Sequence, residues 1–184
     1  SAASVVYKRQ ALEESGNLTL KVSGAIVWNT DLGMEQISRI LVARERFNTR
    51  RLKARSVKIW LDGVLEGHTA ALLEPYSDKE DGTTGELLIP PSMLDEIITR
   101  LDALGFQIHF HAIGDAAIRA SLDAIEIARA INGEKDNRHH LSHIQIFNPA
   151  DIPRFAELNV AANFQPYWAW ADKFISDLTI PKLG

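Results

Sequence analysis

The sequence predicts an α/β domain with a parallel sheet, and three observations carry that expectation. Short runs rich in Val, Ile and Leu alternate with amphipathic helical stretches from Leu18 to Gln165, giving five strands. Helical stretches stop at Gly16, Gly105 and Gly133, where the apolar periodicity ends. The stretch from Gln107 to Asp115, reading Gln-Ile-His-Phe-His-Ala-Ile-Gly-Asp, ends as a strand at a His and turns at once into a helix. That pattern sets an imidazole on the C-terminal rim of a parallel sheet, where α/β proteins place ligands and catalytic groups. Strict alternation implies right-handed βαβ units. Two architectures satisfy it, a five-stranded doubly wound sheet or part of an eight-stranded barrel. Length alone favours the open sheet, because a full barrel needs about 250 residues.

Taken in order, residues 4–15 read as a helix closed by Gly16, and Leu18 to Trp28 as a strand. Asp31 can cap a second helix with Met34, Ile37, Leu41 and Phe47 on one face. The basic run from Arg44 to Arg55 reads as the solvated face and end of that helix. Val57 to Leu61 is a short strand, and Asp62 to Pro91 lacks periodicity and reads as a lid or binding loop. Ser92 caps a helix whose stripe is Leu94, Ile97, Ile98, Leu101 and Leu104. The strand Phe106 to Ala112 follows, then a helix capped by Asp115 with Ile118, Leu122, Ile125 and Ile131 inward. His140 to Phe147 is a strand, Asn148-Pro149 opens a short helix, and Val160 to Gln165 is the last strand. The aromatic cluster Tyr167, Trp168 and Trp170 comes after it.

Composition narrows the function. With 46% hydrophobic and 24% charged residues, the chain has the profile of a globular domain with a core. A net charge of −4 gives no basic footprint, so no nucleic-acid partner is expected. The absence of Cys excludes disulfides, thiolate metal sites and a Cys nucleophile, so a metal would need His, Asp, Glu or a modified Lys. No apolar run approaches the roughly 20 residues that span a bilayer, and no membrane partner is expected. The compartment is left open.

Three strand-borne groups are candidates for chemistry. His111 and His143 end, or nearly end, successive strands joined by one helix, 32 positions apart, so both can project over one rim. Lys58 lies inside an apolar strand, where an ammonium is costly unless it is paired or modified. A Lys with lowered pKa can take up carbon dioxide, and the carbamate can bridge two cations. The alternative is an ion pair with Asp62 or Glu66.

The segments Val57-Lys58-Ile59-Trp60-Leu61-Asp62-Gly63, His68-Thr69-Ala70-Ala71-Leu72-Leu73-Glu74-Pro75-Tyr76, His111-Ala112-Ile113-Gly114-Asp115-Ala116-Ala117, His143-Ile144-Gln145 and Gln165-Pro166 resemble one family. It is the amidohydrolase family 3 branch of the metal-dependent amidohydrolase superfamily, which includes N-substituted formamide deformylases. The resemblance runs over roughly residues 16 to 170. It implies a partial (β/α)8 TIM barrel, about strands 3 to 7 with their helices, and a mono- or dinuclear divalent metal site, most often zinc. It assigns Lys58 to the metal ligand of the fourth barrel strand, His111 to that of the fifth and His143 to that of the sixth. Asp62, His68, Asp115 and Gln165 match family positions beside the site, facing substrate or supporting the ligands. His109 and His139 match positions that pack or hydrogen-bond inside the fold. His140 and Ser142 stand where Arg and Glu are more typical.

The resemblance also implies what is missing. No His-x-His precedes Lys58, and no Ser-Asp follows Pro166 in the position expected for the eighth strand. The expectation is one incomplete barrel domain over residues 1–184, without strands 1, 2 and 8 or the family's β-sandwich, and with no catalytic Asp of its own. The intact parent would hydrolyse C–N bonds of small amides, cyclic amides or formamides by metal-activated water. The chain alone would be inactive, would bind metal weakly or not at all, and would cover bare sheet edges by homo-oligomerisation or by rearranged termini. The alternative is a non-catalytic binding or regulatory module, with Asp78 to Asp81 and Tyr167 to Trp170 as contact surfaces.

Overall fold

The computed structural model describes residues 2–183. It is an α/β fold with a five-stranded parallel sheet whose strands follow chain order, as the alternation of periods requires. Two compact units divide it, Ser1–Ile59 and Trp60–Gly184.

In the first unit, helix α1 (Ala2–Glu14) leads through Gly16, at φ +76°, to strand β1 (Val22–Val27). A 3₁₀ turn at Thr30–Gln36 precedes α2 (Ile37–Arg46), and β2 (Leu52–Trp60) begins in this unit. β1 and β2 are parallel, from Val22 opposite Leu52 to Val27 opposite Lys58, with a register shift at Gly24/Ala25. Phe47, Leu52 and Ala54 form the local core with Val22, Ile26 and Ala43 against them. The Glu13 carboxylate accepts from the Thr49 hydroxyl and the Arg51 amide, tying the end of α1 to the start of β2.

Two expectations are corrected here. Asp31 is not the cap. The Asn29 side chain accepts from the Asp31 amide, while Gln36, 5% exposed, donates to the carbonyls of Asn29 and Gly33. The basic run is not all helix, since Leu52 to Arg55 already belong to β2, where Leu52 and Ala54 turn into the core. Alternation of buried and open positions, rather than charge, sets the boundary.

The second unit holds the long connection 61–90, then α3 (Pro91–Ala103), β3 (Gln107–Ala112), α4 (Asp115–Asn132), β4 (His140–His143), α5 (Ile152–Glu157) and β5 (Ala161–Asn163). β3 pairs in parallel with β4, and β4 with β5. Leu94, Ile97, Ile98 and Leu101 of α3 are fully buried, as are Ile118, Leu122 and Ile125 of α4. Ile108, Phe110 and Ala112 of β3 are fully buried as well, and the alternate positions Gln107, His109 and His111 lie on the more open face. That alternation gives the sheet one apolar face and one polar, His-bearing face.

Other expectations shift. α3 opens at Pro91 after Pro90, so proline at the first helical position replaces a Ser92 cap. Ile131 is 67% exposed and lies off the buried stripe of α4. β4 is four residues long rather than running to Phe147, because His143 and Ile144 take left-handed backbone that no strand continues through. The connection 61–90 has no helix or strand, yet Leu61, Leu65, Ala70, Tyr76 and Ile89 are at most 1% exposed. Part of it is therefore interior, with Leu65, Ala70, Leu72, Tyr76 and Ile113 packed as one cluster.

Candidate functional site

The sheet register creates a problem that the backbone solves. His111 lies beside Ser142 and Ala112 beside His143. Strict alternation would send His143 to the helix-covered face, opposite His111. The left-handed φ of His143, +86°, and of Ile144, +48°, ends the strand there and re-aims the side chain. The two imidazoles meet edge to face, ring centroids 4.5 Å apart and planes at 62°. Two successive non-glycine residues in this region, one of them β-branched, cost conformational energy and need surrounding structure to hold them.

His111 is oriented from the long connection. Its Nε2–H donates to the Gly63 carbonyl at 3.0 Å, and the same nitrogen lies 3.7 Å from Asp62 Oδ1. Asp62, 1% exposed, accepts amides from Ala71 at 3.1 Å, Ile113 at 3.1 Å and Gly114 at 2.8 Å. Burial pushes its carboxyl up to about 6, against the downward pull of those three amides. Asp62 thus anchors the turn after β3 and stands behind His111.

His143 is oriented from the segment after β5. Its Nδ1–H donates to Gln165 Oε1 at 2.6 Å, and the Trp168 indole stacks on its ring at 4.7 Å and 19°. A carbonyl can only accept, so the hydrogen lies on Nε2 of His111 and on Nδ1 of His143. Metal-ligating His residues are oriented in this way by an acceptor on their other nitrogen.

His68, at φ +54°, has Nε2 2.9 Å from both Asp78 carboxylate oxygens and 3.0 Å from Lys182 Nζ, with Tyr76 edge-on to its ring. This cluster fastens the C-terminal segment to the long connection, a role sequence reading did not foresee. Asp115 Oδ1 accepts the Leu73 amide at 2.9 Å, so it too secures the connection. Lys58 lies on β2 in the first unit, and burial pulls its ammonium down to about 8. His109 Nε2 is 2.8 Å from Ser142 Oγ. His139 accepts the Ile108 amide at Nδ1 and donates from Nε2 to Asp102 at 3.1 Å.

Two oriented imidazoles suit a divalent ion as part of its ligand set. Among the described residues no group of three His, Cys, Asp or Glu side chains could hold one. A structural zinc site uses four ligands and a catalytic one three with a water, so the pair fits as part of such a site and does not complete it. Beside the pair opens a cavity of about 360 Å³, lined in part by Ile113, Tyr167, Trp168 and Phe174. The aromatic run after Gln165-Pro166 was the sequence signal for it, although its contact with His143 was not readable there.

Parallel βα repeats place the side chains of a functional site at the C-terminal end of the strands, where this pair meets. The chain belongs to the amidohydrolase family, whose sequence profile matches residues 6–180. It is 26% identical over 174 residues to the Exoenzymes regulatory protein AepA of Pectobacterium carotovorum subsp. carotovorum, covering 94% of this chain and 36% of that protein. It is 34% identical over 128 residues to the Protein LONG AFTER FAR-RED 3 of Arabidopsis thaliana, covering 70% and 21%. Putative amidohydrolase YtcJ of Bacillus subtilis (strain 168) is 35% identical over 117 residues, covering 64% and 21%. An uncharacterized metal-dependent hydrolase from Pyrococcus furiosus superposes with TM-score 0.73 at 29% identity, over 95% of this chain and 34% of that one. The chain thus spans roughly a fifth to a third of the length of these relatives.

Proposed function

We propose that this chain forms part of a metal-dependent hydrolase that cleaves C–N bonds in small amides, cyclic amides or N-substituted formamides. The observation that carries the reading is the convergence of His111 and His143, each held by a carbonyl acceptor on its other nitrogen. Family membership and the likeness to metal-dependent hydrolases support it. His111 and His143 would supply two ligands to a divalent ion, zinc being among those that imidazole donors suit. Lys58 is kept as a third candidate from the family resemblance. The chemistry such an ion supplies is Lewis acidity toward the scissile carbonyl and toward water. The chain's own contribution is orientation: Gly63 and Gln165 fix the tautomers, Asp62 locks the turn beside His111, and Trp168 covers one face of His143.

The remaining ligands and the proton-accepting Asp would come from other parts of a longer protein, and the 184-residue chain alone would lack hydrolase activity. We also propose that β5, whose residues are exposed, is covered in solution by a second copy when the chain is alone. The test is metal content and hydrolysis of an amide and formamide panel by the longest natural protein carrying this sequence. His111→Ala and His143→Ala should each lower metal occupancy at least about tenfold. Full occupancy in both variants would remove the assignment.

A second reading, a non-catalytic regulatory module, is favoured by one observation, the name of a relative described as a regulatory protein. Metal bound at full occupancy with no turnover on any C–N substrate would support it.

A further inference from the structure

The cavity beside His143 has a one-sided chemistry. Its walls include the aromatic rings of Tyr167, Trp168 and Phe174 and the carboxylates of Glu66 and Asp172, and no Lys, Arg or His lines it among the described residues. At about 360 Å³ it is in the range of small-molecule pockets. Asp172 Oδ1 accepts the Ile175 amide at 3.0 Å, and Glu66 Oε1 lies 3.4 Å from the Thr179 hydroxyl. Trp168 belongs both to this wall and to the stack on His143, so whatever fills the cavity touches the ring that covers the candidate ligand.

We propose that this cavity binds the cationic end of the substrate, a protonated amine carried on an alkyl or aryl group. Aromatic faces attract a cation through the ring quadrupole, and two carboxylates of one sign add Coulomb attraction that no nearby basic group in the lining cancels. An anionic group would meet the carboxylates and pay for their repulsion, and a neutral group would gain only apolar contact. A bare metal ion is a poor match, because among the described residues no group of three His, Cys, Asp or Glu side chains gathers to hold one. The inference rests on the hydrolase reading for the word substrate; the cation preference itself stands on the cavity alone.

The experiment is calorimetric binding of benzylamine, benzyl alcohol and phenylacetate to the longest natural protein carrying this sequence, with no metal added and no turnover. Benzylamine should bind roughly tenfold more tightly than benzyl alcohol, phenylacetate more weakly than either, and the benzylamine affinity should fall as salt rises. The double variant Glu66→Gln, Asp172→Asn should bring benzylamine down to the level of benzyl alcohol while benzyl alcohol binding is unchanged, which also reports that the variant is folded. Should that variant not fold, Trp168→Phe provides the second comparison, with a smaller cation preference expected. Equal affinity for the amine and the alcohol, no benzylamine binding at millimolar concentration, or an unchanged preference in the variants would overturn the proposal. Absence of C–N hydrolysis alongside an intact cation preference would instead sink the hydrolase reading and leave this one standing.

Discussion

Asp62 Oδ2 accepts the Gly114 amide at 2.8 Å, joining the second residue after β2 to the turn after β3 across 52 positions of sequence. The same oxygen takes the Ala71 amide and its partner oxygen that of Ile113. One buried carboxylate therefore satisfies three backbone donors that have no strand or helix to serve them. Asp62→Ala should lower stability by on the order of 3 kcal/mol, since it leaves those donors unpaired in the interior. Asp62→Asn should cost less, because one amide oxygen can still accept. Thermal unfolding of the two variants checks this, and a melting temperature equal to the parent's in Asp62→Ala would discard it.

Gly114 has no room for a side chain. A Cβ there would sit 2.0 Å from the Ala71 carbonyl oxygen, which is backbone and cannot swing away. Gly114→Ala should cost more than about 3 kcal/mol or prevent folding, and soluble yield with a melting curve shows which. A folded variant of parental stability would mean the two backbones do not approach so closely.

Gln165 acts on His143 through a single hydrogen bond. In the longer protein, Gln165→Leu should weaken metal affinity by roughly 10- to 100-fold with little change in melting temperature. Gln165→Glu, which keeps an acceptor facing Nδ1, should restore most of it. Equal loss in both variants would mean that the residue matters for packing rather than tautomer.

At the other end of β3, acid stability should depend on Asp102. Burial raises its carboxyl, but hydrogen bonds from His139, Asn132 and Asn137 outweigh that and bring it to about 2 from an ordinary 3.8. A carboxylate depressed in the folded state stabilises above its unfolded pKa, and that stabilisation is lost as pH falls through the folded value. Stability should therefore decline from about pH 4 to pH 2 by roughly 2 kcal/mol from this group. Asp102→Asn should flatten that part of the profile, and urea unfolding across the range reads it.

The fold was legible because it rests on periodicity. The buried stripes of α3 and α4 and the alternation of β3 appear directly in the order of apolar residues. The pair His111 and His143 was also within reach, since each ends or nearly ends a strand of neighbouring βα repeats. The re-aiming of His143 was not readable, because nothing in His143-Ile144 announces left-handed backbone. Nor were the Gly63 carbonyl, the Trp168 stack or the His68–Asp78–Lys182 cluster. Those depend on contacts over tens of residues, and Lys182 meets His68 across 114 positions. Local pattern carries no information about such distances.

The stretch 61–90 has a further consequence. It contains no regular element, yet the amides of Ala71, Leu72, Leu73 and Tyr76 all donate to protein acceptors, and several of its side chains are sealed from water. In deuterated buffer these protons should exchange about as slowly as those of the neighbouring strand. The slowly exchanging heart of the molecule then extends into a segment that its helices and strands alone would not reveal.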